Sequence, residues 1–234
     1  MRNITESPLE LVSREAAASQ GEAASVVADY VRSAIFDGRF APGQHIRQEL
    51  IARETGISRV PVREALRILA SEGMVTLVAN KGARVAKLSL AECRELYEIR
   101  ENIEPMLIGM NTPYITPEVT EQLYAMVAAM ETASPEEFSR IDREFHDLTY
   151  SAHSGLVLGQ MVHNLWDRTY YYRRAYILAT FGQTGIQVSN VDHKLIAEAM
   201  ARGDGEEAGA IMRYHVRRTR MHLHLLEDLD DPTE

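Results

Sequence analysis

The segment from Leu50 to Val85 constrains the fold more than any other part of the chain. Ala52, Gly56 and Val62 follow the spacing of a helix-turn-helix, with a small residue where two helices approach, a glycine at the turn and an apolar residue that packs inward. Ser58 stands just before the second helix, where a serine oxygen often caps the first turn. The pattern therefore predicts two short helices joined by a tight turn.

The residues on either side of this motif extend it into a winged helix. Apolar residues at helical spacing from Ala23 to Ile35 predict a preceding helix. Met74–Val78 and Ala83–Ala86 have the composition of short strands, and Asn80-Lys81-Gly82 between them is a hairpin turn signal. Three helices followed by a β-hairpin wing are thus expected.

Arginines on the second helix of the motif indicate what this unit binds. Arg59, Arg63 and Arg67 recur every four residues and so lie along one helix face. A helix with Ser58 and Arg59 in its first turn and further arginines along one side suits the major groove of DNA. Lys81, at the wing tip, is placed to reach a backbone phosphate or the minor groove. These residues predict a double-stranded DNA partner.

The charge distribution agrees with DNA binding by the first part of the chain. The whole chain has a formal net charge of −9, but residues 21–87 carry +3 while residues 88–234 carry −11 and residues 1–20 carry −1. Because phosphates attract basic surfaces and repel acidic ones, DNA binding is expected in the first part only.

The chain is predicted to be mainly α, with two domains. Residues 1–20 lack a sustained apolar period and are expected to form a flexible tail, residues 21–87 the winged helix-turn-helix, and residues 88–230 an all-α helical bundle. Three of the bundle helices are predicted over about 135–154, 190–201 and 205–229. Ser89 with Glu92 predicts a capping box at the start of the first bundle helix.

Two features bear on the compartment. No apolar run approaches the length of a membrane span, and no basic-then-apolar leader opens the sequence. The single cysteine, Cys93, excludes an intramolecular disulfide and is typical of a reducing cytoplasm. A cytoplasmic protein with no membrane partner is expected.

One aspartate and three histidines in the bundle form a candidate metal site. Asp142 and His146 are four residues apart and share a helix face, while His193 and His215 lie on the next-to-last and last helices. Imidazole with carboxylate suits divalent ions, zinc first and nickel or manganese as alternatives. Spacing alone leaves open that all four are ordinary helix-surface residues.

The residues quoted above resemble a known family. Residues 56–85, GISRVPVREALRILASEGMVTLVANKGARV, resemble the winged-helix domain of GntR-family transcription regulators. The bundle, with IDREFHDL, DHKLIAEAMARGD and MRYHVRRT, resembles the FCD effector and dimerisation domain of the FadR branch. The resemblance covers about residues 23–229 and implies that a divalent metal is held by Asp142, His146, His193 and His215.

The resemblance also implies which residues approach an operator: Ser58, Arg59, Val60, Arg63, Lys81 and Gly82. Two positions depart from the family pattern. Val60 stands where members often have threonine, which leaves an apolar contact, and Glu49 stands where some members have a DNA-contacting arginine. A base preference different from that of relatives is therefore expected.

The function these features imply is that of a homodimeric, ligand-responsive transcription regulator, expected to be a repressor, that binds a palindromic operator. A small organic acid would complete the coordination shell of the metal and release or strengthen DNA binding. Arg100 is the candidate for a second carboxylate clamp, although a surface salt bridge with Glu104 explains it equally. Asn164 and Arg174 are further candidates that periodicity does not select.

Two alternatives remain at this stage. In the first, the protein is a regulator whose metal is purely structural. In the second, the chain is a metal-dependent enzyme with an appended DNA-binding domain. A hydrolytic site needs a general base beside the metal-bound water. The nearest carboxylate in sequence, Glu144, lies about 200° around the helix from both Asp142 and His146 and points away from them. A protein that is not an enzyme is therefore expected.

Overall fold

The computed structural model of the protein describes four stretches of the chain, residues 20–79, 82–153, 156–181 and 184–229. They belong to two compact units, one ending at Lys87 and the other starting at Leu88. The predicted tail, up to residue 19, and the wing-tip Lys81 lie outside the described residues. Among the described helices, none is long and apolar enough to cross a membrane.

The first unit is a winged helix, as the sequence predicts. Its elements in chain order are α1 (Gln20–Phe36), β1 (His45–Ile46), α2 (Gln48–Thr55), α3 (Arg59–Ser71), β2 (Val75–Val78) and β3 (Gly82–Val85). The inner face of α3 is buried through Val62, Ala65, Leu66 and Leu69, which recur at the spacing of one helix face. The opposite face of α3 is therefore free for another partner.

The strand β1 was not predicted from the sequence. It pairs antiparallel with β3, so that the sheet has the order β1-β3-β2. A two-residue strand is too short to show an alternating pattern in the sequence. Gly82 opens β3 with a φ of +104°, and a Cβ there would lie 2.2 Å from the Ile46 carbonyl oxygen. The third strand thus requires glycine at this position.

The second unit consists of helices in its described part. They are α4 (Leu90–Asn111), α5 (Pro117–Met130), α6 (Pro135–Thr149), α7 (Val157–Thr180), α8 (Thr184–Ala201) and α9 (Gly205–Met221). The predicted capping box is present at the start of α4, where Ser89 and Glu92 exchange hydrogen bonds.

Three predicted helix boundaries were wrong. α6 ends at Thr149, α8 begins at Thr184 instead of residue 190, and α9 ends at Met221. Short 3₁₀ segments replace the expected last turns of α6 and α9, over Ser151–His153 and Leu223–Leu229. Helix ends often tighten in this way. The early start of α8 was missed because Gly185 and Gln187 make this stretch of the sequence resemble a polar loop.

A close contact between helices fixes the position of α9. A Cβ on Gly209 would lie 2.9 Å from the Pro105 carbonyl oxygen, and one on Gly205 would lie 2.9 Å from that of Gly109. The backbones of α4 and α9 therefore approach more closely than larger residues would permit. This contact determines how α9 presents His215 to the interior of the unit.

Candidate functional site

The outer face of α3 is polar and exposed. Ser58, Arg59, Val60 and Arg63 are all exposed, whereas Pro61 and Val62 between them are buried. Val60 is 50% exposed and lies on the same surface as these polar residues. The sequence-predicted contacts of this helix thus share one solvent-facing surface.

Ser58 occupies the N-cap position of α3, but its side chain makes no capping hydrogen bond. The usual donors to an N-cap oxygen are the second and third backbone N–H groups of the helix. Here the third residue is Pro61, which has no N–H to donate. The Ser58 hydroxyl therefore remains exposed and able to bond a phosphate.

Arg59 forms an exposed ion pair with Glu49 of α2. Arg59 Nη1 lies 3.4 Å from Glu49 Oε1, and both side chains are more than half exposed. Exposed pairs of this kind contribute little to stability. The pair therefore leaves Arg59 available to DNA, while Glu49 places a carboxylate beside it.

The wing is described only in part. Gly82, predicted as a wing contact, is buried at the start of β3, and its packing against β1 accounts for the glycine by itself. Its contact with DNA remains a prediction, as does that of Lys81, which lies outside the described residues.

The candidate metal ligands come together in the second unit. Asp142 and His146 of α6, His193 of α8 and His215 of α9 each offer a ligand atom, and these atoms all lie within 4.8 Å of one another. All four side chains are buried. They therefore form a compact donor set and not the separate surface residues that spacing alone also permitted.

The histidine rings face one another with free nitrogen atoms. Their ring centroids are 5.3 Å apart for His146 and His193, 4.7 Å for His193 and His215, and 5.1 Å for His146 and His215. The His146 Nε2 and His193 Nδ1 atoms are buried without a hydrogen-bond partner, while His193 Nε2 lies 3.3 Å from Asp142 Oδ1. Since buried polar atoms are normally satisfied, these atoms fit a divalent ion that would supply their partner.

The protonation states also suit a metal. Burial lowers the pKa of His146 well below its usual range, although the nearby Asp142 carboxylate acts the other way. Burial likewise lowers the pKa of His215 to about 4, against the opposing hydrogen bond with Asp192. Both rings are therefore neutral at neutral pH, which is the form that binds a metal.

Asp192 is a supporting residue that the sequence reasoning missed. Its Oδ2 lies 3.3 Å from His215 Nδ1, and Arg218 holds the same carboxylate through two further contacts. A carboxylate on one ring nitrogen orients a ligating histidine and leaves the other nitrogen for the metal. Its position directly before His193 in the sequence was a signal that could have found it.

Arg173 of α7 is a second missed residue, and it lies beside the predicted candidate Arg174. Arg173 is buried and donates two hydrogen bonds to Asp142, with Nη2–Oδ1 at 2.5 Å and Nε–Oδ2 at 3.1 Å. Burial opposes ionisation of Asp142, but the Arg173 guanidinium together with the contacts of His193 and His146 holds the pKa of that carboxyl well below its usual range. Arg174 is half-buried and Asn164 is exposed.

Arg100 forms the predicted pair with Glu104, but the pair is buried and not at the surface. Arg100 Nε lies 2.5 Å from Glu104 Oε1, Nη1 donates to Thr169 at 2.9 Å, and the guanidinium sits 4.1 Å from the Trp166 ring. Arg100 is 2% exposed and Glu104 is fully buried. The surface salt bridge considered from the sequence is therefore excluded.

Tyr150 connects the Arg100 pair to the metal-ligand set. It donates a hydrogen bond to Glu104 at 2.6 Å, and its hydroxyl lies 3.5 Å from His146 Nδ1. The Trp166 ring, next to Arg100, has its centroid 4.7 Å from that of His146. Arg100 and the four candidate ligands thus belong to one buried polar region.

Glu144, the carboxylate that lies nearest to Asp142 and His146 in the sequence, is not among the residues of the site. Glu144 lies at the surface of α6, where its Oε1 accepts a hydrogen bond from Arg140 at 2.7 Å. Helical geometry predicts that Glu144 points away from Asp142 and His146, and its surface position agrees with this.

A winged helix with an exposed basic recognition helix places this protein among DNA-binding transcription regulators. A family model for bacterial regulatory proteins of the gntR family matches residues 23–85, and a model for the FCD domain matches residues 95–218. The chain therefore belongs to the GntR family of bacterial transcription regulators and carries an FCD domain, as the sequence resemblance predicts.

Individual relatives agree with this membership. The chain is 25% identical over 204 residues to the HTH-type transcriptional regulator YdhC of Bacillus subtilis, covering 85% of this chain and 90% of that protein. It is 26% identical over 196 residues to the HTH-type transcriptional repressor GlaR of Escherichia coli, covering 80% and 89%. The E. coli McbR/YncC structure shares the fold, with a TM-score of 0.75, 20% identity and coverage of 86% and 97%.

These relatives are transcription regulators and not enzymes, which confirms the expectation that this protein is not an enzyme. Some relatives are repressors by name.

Proposed function

We propose that this regulator is a homodimeric, cytoplasmic repressor whose affinity for a palindromic operator depends on a small carboxylate metabolite bound at a divalent metal. The observation that carries the proposal is the buried set of Asp142, His146, His193 and His215, with its unpartnered ring nitrogens, in the same polar region as Arg100.

The four side chains would hold the ion, with zinc as the first candidate and nickel or manganese as the alternatives. When bound, such an ion supplies coordination positions that carboxylate oxygens can occupy. Asp192 would keep the His215 ring in the required orientation.

Arg100 would bind a carboxylate of the metabolite. A guanidinium has five N–H donors, and the bonds to Glu104 and Thr169 use two of them. The stacking of Arg100 against Trp166 holds the guanidinium plane in place, which reduces the entropy lost on binding. A bidentate bond to a carboxylate is the interaction that arginine makes best.

On the DNA side, Arg59 and Arg63 would contact guanine edges or phosphates, Ser58 a phosphate and Val60 a thymine methyl. Lys81 and Gly82 would follow the backbone or the minor groove. A dimer is required because two half-sites about one helical turn apart are read together. A coupling of about 1–3 kcal/mol between metabolite and DNA would change operator affinity roughly 5–150-fold.

The test is a thermal-shift screen of small carboxylates on zinc-loaded protein, followed by measurement of binding to the promoter of its own gene. A ligand selective for the folded state must raise the melting temperature. His193→Ala is expected to abolish both the metal shift and the carboxylate shift while leaving binding to the unliganded operator intact. His224→Ala, at an exposed position outside the donor set, is the matched control.

Other outcomes would replace the proposal. A zinc shift without any carboxylate response would indicate a structural metal. Turnover of a carboxylate by the zinc-loaded protein would indicate an enzyme. A response of His193→Ala equal to that of the unaltered protein would exclude this donor set.

A further inference from the structure

The Asp142 carboxylate already has a cationic partner inside the protein. Arg173 faces it with two donors, at 2.5 Å and 3.1 Å, so that each carboxylate oxygen accepts a hydrogen bond. The two side chains are 3% and 1% exposed. In such a buried, bidentate pair each charge offsets the desolvation cost of the other, so that removal of one leaves the other charge uncompensated.

The third contact of Arg173 reaches another helix. Its Nη1 donates to Thr219 Oγ1 at 3.0 Å, and Thr219 lies one helical turn after His215 on α9. Arg173, on α7, therefore joins a candidate ligand of α6 to the helix that carries another candidate ligand.

A divalent ion at the donor set would share Asp142 with a permanent positive charge. Arginine cannot deprotonate to relieve the repulsion, and in a buried region of low dielectric this repulsion is stronger than in water. An ion that takes an Asp142 oxygen therefore displaces a hydrogen bond of Arg173 or remains beside its charge.

We infer that Arg173 competes with the metal for Asp142 and so weakens metal binding while coupling it to the position of α9 through Thr219. This inference rests on the proposed metal site and concerns its regulation. Metal binding would weaken the Arg173–Asp142 contact between α7 and α6. Because Arg173 also bonds Thr219, its displacement would shift α9. A purely positioning role, in which Arg173 holds Asp142 ready for the metal, predicts the opposite sign, because its removal would weaken metal binding.

The decisive measurement is the zinc dissociation constant of the full-length protein by competition with a chelator. Arg173→Met is expected to bind zinc at least about tenfold more tightly, equivalent to about 1.4 kcal/mol. Its chelated form should melt at a lower temperature, since the buried Asp142 then keeps only its contact with His193, and zinc should restore more stability than in the unaltered protein.

Arg143→Met is the matched control. Arg143 is also a mostly buried arginine, and it is paired with the carboxylates of Asp147 and Asp167 and not with that of Asp142 in the described ion pairs. Its removal should lower stability without tightening zinc binding. Equal tightening in both variants would overturn the inference, because it would reflect general loosening.

Thr219→Val provides a second variant that keeps the Arg173–Asp142 pair and nearly the same side-chain shape. Because Arg173 then still holds Asp142, zinc affinity should change by less than about threefold. The zinc-induced change in amide hydrogen exchange of α9 should become smaller. Unchanged or weaker zinc binding in Arg173→Met, or an α9 exchange response in Thr219→Val equal to that of the unaltered protein, would overturn the inference.

The failure of the inference is distinct from the failure of the proposed function. If the unaltered protein binds zinc and His193→Ala does not, the metal site stands whatever the Arg173 variants show. If zinc binding is absent from the unaltered protein, the proposed function itself fails.

Discussion

The recognition helix α3 and the metal-ligand set both contain functional arginines and polar residues. The charged side chains are exposed to solvent in the first and buried in the second. On α3, Arg59 and Arg63 are exposed, and the one contact of Arg59 with Glu49 is a loose surface pair. In the second unit, Arg100 and Arg173 are buried and each faces a carboxylate at hydrogen-bond distance.

The difference follows from solvation. Water screens the exposed charges, so they can remain without a strong protein partner until DNA binds, at little cost to stability. The buried charges have lost their water and must be compensated within the protein. Substitutions of the exposed arginines of α3 should therefore change DNA binding and leave stability nearly unchanged, whereas substitutions in the buried region should change both ligand binding and stability.

The largest expected effect comes from breaking the buried pair between Arg100 and Glu104. Glu104→Gln should lower the free energy of unfolding by about 3–5 kcal/mol, because an uncompensated arginine remains in the interior. Glu144→Gln is the matched control, since Glu144 pairs with Arg140 at the same four-residue spacing but at the surface. It should change stability by less than about 0.5 kcal/mol. Urea denaturation of both variants measures the contrast, and equal losses would contradict it.

The second effect is a pH dependence of the metal-free protein. The pKa of His215 is about 4 when folded and about 6.5 when unfolded, so the unfolded chain binds a proton first as the pH falls. The free energy of unfolding should therefore fall between pH 6.5 and pH 4, by about 1.4 kcal/mol per pH unit for this group.

Thermal melting in the presence of a chelator, over this pH range, tests the dependence. His215→Gln should make the profile less steep, with the buried His146 still contributing in the same direction, while the exposed His224→Gln should leave it unchanged. A profile unaffected by His215→Gln would mean that this ring does not carry the dependence.

The third effect concerns DNA. Arg59→Ala should weaken specific operator binding by about 1–3 kcal/mol and leave the melting temperature nearly unchanged, because its only described partner is an exposed carboxylate. Fluorescence anisotropy with operator DNA measures this loss, and Arg140→Ala, an exposed arginine of the second unit, serves as the control. Operator affinity equal to that of the unaltered protein would contradict the docking of α3.

The smallest effect separates two serines at helix starts. Ser89 accepts a capping hydrogen bond from Glu92, whereas Ser58 makes none because Pro61 lacks the N–H group. Ser89→Ala should therefore cost about 0.5–2 kcal/mol of stability. Ser58→Ala should cost almost none and should weaken DNA binding slightly. A stability loss at Ser58 equal to that at Ser89 would show that Ser58 also caps its helix.

Much of the fold was predictable because local patterns determine it. The turn at Gly56, the stripe from Val62 to Leu69 and the capping box at Ser89 each act within a few residues of the chain. The strand β1 was not predictable, because it forms by pairing with β3, which is distant in the sequence. The early start of α8 was not predictable, because Gly185 and its polar neighbours resemble a loop.

The site shows the same division. The spacing of Asp142 and His146 indicates a shared helix face, and the family resemblance adds His193 and His215. The partners Asp192 and Arg173 carry no periodic signal that distinguishes them from neighbours such as Arg174. Their roles depend on which side of a helix faces the interior, and this is determined by the packing of α7, α8 and α9.

The sequence by itself determined the winged helix, the exposed basic face of α3 and the identity of the four candidate ligands, because these follow from local spacing and from motifs. Only the tertiary structure decided that the ligands meet within 4.8 Å, that Arg100 is buried and that Arg173 holds Asp142. The physical reason is that compensation of a buried charge depends on distance in space, and residues far apart in the chain supply it.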